Sequence, residues 1–517
     1  MKLFPDIKNL PDTITIRTEN ENLFFFKGQP ETKQDDIILS VSDGKVTLKA
    51  DKTPVEEIVL RWSFRMPDDT LFCGDHWERG YGDLEWRGYV PERPMPWYFY
   101  ALCGNIFAGF GVKVRPDAFC HFKTDKGGIA LYIDVRSGGV GCVLEGKEIL
   151  CCETVCAEYE NKELLESEKT FTSMLCSGAV FPDKPVYGFN NWYYAYGHSS
   201  AKEILENSAH LARLTKGLEN RPFMVIDDGW QEHRLDDDGF IGGSWRKGNA
   251  KFPDMKKLAG DMAAYDIIPG IWCRPTQNKS EDIPDEWFRD KSDFLLDVSR
   301  PEVLNYIADD IDTLCRWGYK LIKYDFSTVD ITGKWGRHMG SEPNDSSVRF
   351  ADRGKTTAMI IKDFYKTVFE ASAGRALLLG CNTVGHLGTG FMQLARTGDD
   401  TSGREWNTTR KMGVNTLAFR MAQHKNYYFV DADCAGLTKK VPWYKNRQWL
   451  ELLAKSGTPL FVSVAPDTLD DEQNACLAEM LAYASVPHQE AVPVGMTNDI
   501  TPETWVINGE TKHFDWY

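Results

Sequence analysis

Eight short apolar segments alternate with amphipathic helical segments between residues 186 and 465, and this alternation most constrains the fold. The strand candidates are 186–192, 223–229, 267–273, 320–326, 376–382, 392–398, 427–433 and 459–465. Helix-compatible stretches lie at 199–216, 254–265, 301–317, 350–373, 406–424, 443–456 and 468–485, and the short crossover at 383–391 is rich in glycine. Strands that alternate with helices pair in parallel. Eight such units predict a (β/α)8 barrel, because an open doubly wound sheet seldom needs so many.

The segments on either side of this pattern have a different texture. Residues 1–180 consist of short β-rich runs such as IILSV, EIVLRWSF and IALYIDV, which predict a large antiparallel β-sandwich domain. The catalytic barrel is expected over 181–485. Residues 486–517 are too few for a domain, and we expect a short C-terminal β tail that pairs as one or two strands against the barrel. The predicted fold class is therefore α/β, a TIM barrel preceded by a sandwich.

Charge and cysteine usage limit the partners and the compartment. The formal net charge is -16 over 517 residues, and the acidic residues are dispersed, so we expect neither nucleic acid nor a membrane as a partner. The N-terminal MKLFPDIKNLPD lacks the apolar run of a secretory signal. Thirteen cysteines without such a signal favour reduced thiols and a cytoplasmic location. No zinc-ligand spacing or phosphate-binding loop occurs, and the sequence predicts no metal and no cofactor.

Polar and aromatic residues concentrate at the carboxyl ends of the predicted strands, where the βα loops of a barrel surround its mouth. One acidic residue after a strand is ordinarily a helix N-cap, but six strand ends behave alike. From strand one to strand seven these residues are Asn190, Asn191, Trp192, Asp227, Asp228, Trp230, Trp272, Arg274, Lys323, Asp325, Cys381, Asn382, Arg396, Asp399, Asp400, Asp431 and Asp433.

This mixture of acids, aromatic rings and cations without histidine is typical of a sugar site. Aromatic faces stack on a pyranose ring, while carboxylates, lysine and arginine bind its hydroxyls. Carboxylates on strands four and six could form the pair that glycoside hydrolysis needs. A separation of about 5 to 5.5 Å would indicate a retaining enzyme and about 6.5 to 9.5 Å an inverting one, so both outcomes stay open at this point.

Seven segments, in this order and spacing, resemble glycoside hydrolase family 36 and the clan that it shares with the family 27 α-galactosidases. They are FNNWYYAYG (189–197), IDDGWQ (226–231), SWRKGNAKFPDMKKLA (244–259), GIW (270–272), IKYDF (322–326), ARTGDD (395–400) and FVDADC (429–434). The resemblance covers about 180–485, and the preceding sandwich matches in texture. It implies a retaining, exo-acting hydrolase that releases terminal α-linked galactose from oligosaccharides or glycoconjugates through a covalent glycosyl-enzyme.

The resemblance also implies the catalytic pair. The aspartate of the Lys-Tyr-Asp motif is the family's nucleophile, which corresponds to Asp325. The acid/base follows an arginine by four residues, and this spacing corresponds to Arg396 and Asp400. A general acid needs a raised pKa. Like-charge repulsion from Asp399 is one source of such a rise, and a solvated, outward-pointing Asp399 is the alternative.

Seven further residues are implied to bind the sugar. Two acids would bind the O4 and O6 side, and a lysine would bind a neighbouring hydroxyl and keep the nucleophile ionised. An arginine and a cysteine would approach the 2-position, and two tryptophans would line the wall. In that order these residues are Asp227, Asp228, Lys323, Arg396, Cys381, Trp192 and Trp272.

The sequence departs from the family in three places. Cys381-Asn382-Thr383-Val384-Gly385 replaces a Cys-Ser-Gly-Gly-Gly-like run, Arg274-Pro275 replaces Glu-Pro, and we expect no C-terminal sandwich after the barrel. Three alternatives stay open. They are an α-N-acetylgalactosaminidase or related α-glycoside hydrolase, a transglycosidase of the same clan, and a catalytically silent sugar-binding protein, which the presence of both carboxylates disfavours.

One segment of the sandwich carries a hypothesis of its own. Residues 74–100 combine tryptophan and tyrosine with interspersed charge. They could pack at the domain interface, or they could cover the active-site mouth of their own or a neighbouring subunit. The second hypothesis would make Trp77 and Trp86 part of the mouth. A homo-oligomer remains a possible assembly, because the covered mouth could belong to a neighbouring subunit.

Overall fold

The computed structural model describes residues 3–160, 163–232 and 242–517. The first part forms two antiparallel sheets. In spatial order the first sheet contains Asn22–Phe26, Thr13–Thr18, Val55–Ser63, Gly128–Asp134, Phe119–Asp125 and Met95–Pro96. The second contains Glu31–Gln34, Ile37–Ser42, Lys45–Lys49, Glu148–Glu160, Ile106–Val112, Tyr98–Cys103 and Leu71–Gly74. Along Val55–Ser63 the buried side chains Ile58, Leu60 and Trp62 recur every second residue, which gives the strand one inward face. This arrangement confirms the predicted sandwich.

A helix that the sequence did not predict, Leu164–Leu175, follows the sandwich. No side chain caps its start, so local signals for a helix are weak. Packing stabilises it instead, because Phe171 lies against the backbone of the strand Ile106–Val112. A Cβ built on Gly109 in that strand would lie 2.2 Å from the Phe171 ring, so only glycine permits this contact.

The eight predicted apolar segments all contain a strand of one parallel sheet. The barrel strands, numbered one to eight in chain order, are Tyr187–Asn190, Phe223–Ile226, Ile268–Cys273, Leu321–Tyr324, Leu377–Gly380, Leu394–Arg396, the interrupted pair Phe429–Asp431 and Cys434–Gly436, and Leu460–Ser463. The first half of strand seven pairs with strand six and the second half with strand eight, while strand eight also pairs with strand one. This pairing closes the ring and confirms the (β/α)8 barrel.

The helices of the barrel follow the predicted order. Six of them are Ala201–Leu214, Met255–Ala264, Pro301–Trp317, Thr357–Ser372, Trp443–Lys455 and Asp471–Ala484. Asp254 and Asp470 begin two of these helices because their carboxylates accept a hydrogen bond from a backbone N–H of the first turn. The glycine-rich fifth crossover holds only the turn Gly385–Gly388. Shorter helical turns are Trp192–Ala195, Asp285–Trp287, Ser327–Thr332 and Gly336–Met339, and Phe288–Asp290 pairs with Leu295–Leu296.

One predicted helix is broken. The stretch expected to be continuous over 406–424 divides into Trp406–Thr409, the π-helix Arg410–Asn415, Thr416–Arg420 and the 3-10 turn Met421–Gln423. The π-helix contains Gly413, where a Cβ would lie 2.8 Å from the Trp449 ring. Close packing against another helix thus overrides the regular periodicity.

The C-terminal tail differs from its prediction. It forms a three-stranded antiparallel sheet of its own, Val492–Val494, Thr504–Ile507 and Glu510–His513, instead of one or two strands added to the barrel. Side chains attach this sheet to the barrel, because the buried Trp516 packs beside Trp406, whose Nε1 donates to the Trp516 carbonyl at 2.8 Å. Throughout the three described ranges, no helix has both the length and the apolar character needed to cross a membrane.

Candidate active site

A cavity of about 150 Å³ opens at the carboxyl ends of the barrel strands. Eight of the nine site residues predicted from the sequence line it, and Arg396 lies beneath its wall. The lining residues are Arg79, Trp192, Asp227, Asp228, Trp272, Lys323, Asp325, Phe326, Trp335, Cys381, Asn382 and Asp400. The position agrees with the general rule for barrels, since the loops after the strands surround the mouth.

Asp325 follows barrel strand four directly, and both of its carboxylate oxygens accept hydrogen bonds. Trp272 Nε1 donates to Oδ2 at 3.0 Å, and the backbone N–H of Phe326 donates to Oδ1 at 2.8 Å. The residue is only 7% exposed. Two donors on opposite oxygens fix the orientation of the carboxylate.

Lys323, two residues earlier on the same strand, forms a buried ion pair with Asp227. Its Nζ lies 2.7 Å from Asp227 Oδ2, and Asn190 Nδ2 donates to the same oxygen at 2.7 Å. Burial disfavours the ammonium form of Lys323, but the carboxylates of Asp227 and Asp325 raise the pKa of Lys323 above its ordinary value. The lysine is therefore a permanent cation between two acids.

Asp228 is held beside Asp227 by a tight turn after barrel strand two. Gln231 Nε2 donates to Asp228 Oδ1 at 2.6 Å, and the Asp228 backbone N–H donates to Asp227 Oδ1 at 3.0 Å. Gly229 follows with φ of 114°, and a Cβ there would lie 2.5 Å from the carbonyl oxygen of Gly197. Glycine at this position lets the chain turn so that both carboxylates face the mouth.

Asp400 lies on the loop after barrel strand six. Its side chain is 47% exposed and lines the cavity. Arg396 Nη2 donates to its Oδ1 at 3.1 Å. Burial raises the pKa of Asp400, but the charges of Arg396 and Arg79 outweigh burial and lower it below its ordinary value.

The raised pKa expected for Asp400 is therefore not found, and Asp399 is not the solvated, outward-pointing residue of the alternative either. Asp399 Oδ1 lies 2.7 Å from Arg79 Nη2, so a cation from the sandwich neutralises its charge. The sequence around residue 400 contains no sign of this partner, because the two residues are more than three hundred positions apart.

Arg396 lies behind the cavity wall with its side chain almost wholly buried. Besides Asp400, it approaches Asp433 Oδ2 at 3.1 Å and donates to Cys381 Sγ at 3.5 Å. Burial raises the pKa of the Cys381 thiol well above its ordinary value, so this residue lines the cavity as a neutral group. Arg396 thus supports two lining residues and does not line the cavity itself.

Comparisons with known proteins identify the fold of the chain. No family model matches the chain. Over 144 residues it is 26% identical to alpha-galactosidase 1 of Pediococcus pentosaceus, a match that spans 25% of this chain and 18% of that protein. The alpha-galactosidase TtGalA of Thermus thermophilus, solved with p-nitrophenyl alpha-D-galactopyranoside, superposes with a TM-score of 0.59 at 16% identity over 96% of this chain and 98% of its own. The chain has the GH36 alpha-galactosidase fold. A GH36 alpha-galactosidase of Geobacillus stearothermophilus, AgaA, solved as a variant with raffinose, gives a TM-score of 0.60 at 14% identity over 96% of this chain and 79% of its own.

Within this GH36 fold, four lining residues were absent from the predicted site. Asn382 was noted at a strand end, while Phe326 and Trp335 lie on the loop after barrel strand four, with ring centroids 5.6 Å apart. Their positions depend on how that loop folds back over the cavity, which no local pattern indicates. Arg79 comes from the sandwich.

Each of the two hypotheses for the segment 74–100 applies to part of it. Trp77 is buried against Phe119, and Trp86 is buried in a stack with Tyr100, so neither tryptophan lines the cavity. Trp77 Nε1 also donates to the Gly340 carbonyl of the barrel at 2.8 Å, as the domain-interface hypothesis expects, whereas Trp86 packs within the sandwich. Arg79 in the same segment nevertheless reaches the mouth of the barrel. A charged residue of the segment, and not its tryptophans, therefore lines the cavity.

Arg274 stands where the family has a glutamate. Its Nη2 and Nε donate to Asp330 Oδ1 and Oδ2 at 2.6 and 2.9 Å, and its guanidinium lies 4.3 Å from the Phe326 ring centroid. Arg274 lines a second cavity of about 510 Å³ that shares Phe326 and Trp335 with the first. The unexpected cation is thus paired with an acid and lies outside the smaller cavity.

Proposed function

We propose that this chain is a retaining, exo-acting glycoside hydrolase that releases terminal α-linked galactose through a covalent glycosyl-enzyme. One observation carries the proposal: Asp325 and Asp400 line the same cavity, whose volume of about 150 Å³ suits a single pyranose ring. A site that accommodates one ring acts on the end of a glycan. The GH36 fold and the galactosides bound in TtGalA and AgaA support galactose as the sugar.

The sugar would be held by charged groups on one side and aromatic rings on the other. Asp227, Asp228 and Lys323 lie together and can bind neighbouring hydroxyls, since carboxylates accept and an ammonium donates. Trp192 and Trp272 present apolar surface to the ring. Trp272 has a double role, because its indole N–H also orients Asp325.

In the first step Asp325 would attack the anomeric carbon while Asp400 donates a proton to the leaving oxygen. The two hydrogen bonds to Asp325 keep its oxygens aligned for attack. Because Arg396 and Arg79 lower the pKa of Asp400, its protonated form is populated only at acidic pH. We therefore expect hydrolysis to be fastest on the acidic side of neutrality.

In the second step a water molecule would displace the sugar from Asp325, with Asp400 accepting the water proton. The cations keep Asp400 ionised and so ready to accept this proton, but the lower pKa also makes it a weaker base. We expect hydrolysis of the glycosyl-enzyme to limit turnover for substrates with good leaving groups.

We assign the leaving group of a larger substrate to the second cavity. It is about 510 Å³, adjoins the first through Phe326 and Trp335, and is lined by ionised and polar groups, among them Arg289 and Asp330. Such a volume accommodates more than one sugar ring beside an aromatic surface. Oligosaccharide or glycoconjugate substrates fit this arrangement better than small glycosides alone.

The test is hydrolysis of a panel of chromogenic α- and β-glycosides, including the 2-acetamido analogue of the α-galactoside. Asp325→Ala and Asp400→Ala should fold normally, and the first should lose about four or more orders of magnitude in kcat, as expected for a covalent nucleophile. Asp309→Ala, an aspartate exposed on the helix Pro301–Trp317, is the control and should retain full activity.

NMR of the wild-type reaction should show the α-anomer of galactose as the first product. A β-anomer would refute retention, and a loss of only a few-fold on Asp325→Ala would refute the assigned nucleophile. Preference for the 2-acetamido substrate would replace galactose by N-acetylgalactosamine, and an oligosaccharide product would indicate transglycosylation.

A further inference from the structure

A short segment of the sandwich, residues 75–80, reaches into the mouth of the barrel and places Arg79 beside Asp400. The Arg79 side chain is 9% exposed. Its Nη2 lies 2.7 Å from Asp399 Oδ1 and its Nη1 lies 3.7 Å from Asp400 Oδ1. One guanidinium thus contacts both carboxylates of the loop that carries the proposed acid/base.

Backbone hydrogen bonds next to Arg79 fix it relative to this loop. The N–H of Gly80 donates to the Thr397 carbonyl at 2.6 Å, and the N–H of Asp399 donates to the Gly80 carbonyl at 3.1 Å. A Cβ on Gly80 would lie 3.0 Å from Thr416, so the segment approaches the barrel closely. These two backbone hydrogen bonds fix the position of the backbone that carries Arg79 relative to the loop.

Glu78, on the other side of Arg79, ties the same segment to two more loops. Its Oε2 accepts from the backbone N–H of Gly336 at 2.8 Å, and its Oε1 accepts from Asn382 Nδ2 at 2.5 Å. Glu78 is buried. The segment consequently contacts the loops after barrel strands four, five and six, and its position depends on the same loops that build the cavity.

The electrostatic setting gives Arg79 a definite effect. Asp399 and Asp400 are adjacent in the sequence, and two neighbouring carboxylates repel each other unless a cation neutralises one of them. Arg396 approaches Asp400 from the barrel, and Arg79 approaches from the sandwich and neutralises Asp399. The charged and titratable groups around Asp400 include Arg79, Tyr193, Tyr196, Lys323, Arg396, Asp399 and Asp433, which shares Arg396 Nη2 with Asp400.

We propose that Arg79 is a positioning residue for the acid/base, which it serves by holding Asp399 and by keeping Asp400 turned toward the leaving-group oxygen. The sandwich domain is then part of the catalytic machinery. This inference rests on the proposed function. The simpler alternative is that the Arg79–Asp399 pair only joins the two domains.

A domain-joining role is already filled elsewhere in the same segment. Asp75 forms a buried ion pair with Arg420, with Arg420 Nη2 2.6 Å from Asp75 Oδ1. Neither residue lines the active-site cavity. Arg79 differs because it lines the cavity beside Asp400 and contacts the loop that carries the proton donor.

The experiment compares wild type with Arg79→Met, Arg79→Lys and Asp399→Asn, and uses Arg87→Met as the matched control. Arg87 lies a few residues beyond this segment and pairs with Glu85 at the surface. The readout is the pH profile of kcat/KM on 4-nitrophenyl α-galactoside, whose basic limb reports deprotonation of the acid/base in the free enzyme. A domain-joining role alone would lower kcat/KM without moving this limb.

Loss of the Arg79 charge removes a cation beside Asp400 and leaves Asp399 unneutralised, and both changes raise the pKa of Asp400. Arg79→Met should therefore move the basic limb to higher pH by about one unit or more. Asp399→Asn removes the like charge and should move the limb in the opposite direction or leave it unchanged. Arg79→Lys keeps the charge and should stay near wild type, as should Arg87→Met.

A second readout separates positioning from general damage. Misplacing a proton donor harms poor leaving groups more than good ones. We expect Arg79→Met to lose at least about tenfold more kcat/KM on an alkyl or sugar α-galactoside than on 2,4-dinitrophenyl α-galactoside. Equal losses on both substrates together with an unmoved basic limb would overturn the inference.

Failure of the inference and failure of the proposed function are distinguishable. If wild type hydrolyses no α-galactoside, the proposed function is wrong. If wild type is active and Arg79→Met keeps the wild-type limb and leaving-group dependence, only the inference is wrong. Should Arg79→Met not fold, Arg79→Lys and Asp399→Asn still decide, since an upward limb shift in Asp399→Asn contradicts the proposed charge arrangement.

Discussion

Replacing Arg420 by methionine tests how the sandwich is held to the barrel. Arg420 is 4% exposed and comes from the broken helix after barrel strand six. Its Nη2 and Nε donate to Asp75 Oδ1 at 2.6 and 3.0 Å. Nη1 donates to the Thr397 carbonyl at 2.8 Å, and Nη2 also donates to the Glu78 carbonyl at 2.6 Å.

The expected magnitude follows from what Asp75 keeps after the substitution. Its remaining hydrogen-bond donors are the neutral side chains of Tyr98 and Gln423 and the backbone N–H of His76. A buried carboxylate whose cation has been removed costs about 3 to 5 kcal/mol. Two carbonyls also lose their donor, but methionine fills part of the space. We therefore expect Arg420→Met to lower the free energy of unfolding by about 3 to 5 kcal/mol, a large part of the total of roughly 5 to 15 kcal/mol for a folded protein.

Urea unfolding at pH 7, followed by tryptophan fluorescence, measures this loss. The double variant Asp75→Asn with Arg420→Met removes both charges and should be more stable than Arg420→Met alone, because no buried charge is left unpaired. Arg87→Met breaks the exposed pair with Glu85 and should cost less than about 1 kcal/mol. A loss below about 1 kcal/mol for Arg420→Met, or a double variant no better than the single one, would refute the reasoning.

Three further predictions follow from packing, burial and hydrogen bonding. Gly109→Ala should cost about 1 to 3 kcal/mol because its Cβ would lie 2.2 Å from an aromatic ring, whereas Gly260→Ala, with open space in a helix, should stabilise by about 0.5 to 1 kcal/mol in the same urea assay. Burial raises the pKa of Asp310 from 3.8 to about 7, so the folded state holds a proton that the unfolded state has lost between these values. The stability of the wild type relative to an Asp310→Asn variant should therefore fall as the pH rises from 4 to 7, and a difference that does not change with pH would contradict this. Trp272→Phe removes the 3.0 Å donor to Asp325 and should lower kcat/KM about 10- to 100-fold with unchanged circular dichroism; an unchanged rate would show that this bond does not orient the nucleophile.

The barrel could be predicted because its signals are local. Each strand and the helix after it occupy neighbouring stretches of chain, so an apolar run followed by an amphipathic period indicates the unit without reference to distant residues. The same logic gathered Asp227, Lys323, Asp325 and Asp400, since parallel strands bring their carboxyl ends to one mouth. These four residues line a single cavity.

The elements that escaped prediction depend on contacts across the chain. The helix Leu164–Leu175 has no capping side chain and relies on packing against the strand Ile106–Val112. The broken helix around Gly413 yields to a distant tryptophan ring. In both cases tertiary packing outweighs the local preference of the sequence. A short window of sequence cannot contain these packing contacts, because the partners are distant along the chain.

The order of the strands and the side chains at their ends could be predicted from the sequence, because a barrel repeats one short-range pattern eight times. The charge state of Asp400 could not be predicted, because it depends on Arg79, which belongs to another domain and neutralises Asp399. Electrostatic effects act through space over a few ångströms, whatever the separation along the chain. Only the tertiary structure, which brings residues 79 and 399 together, decides how the acid at the mouth is charged.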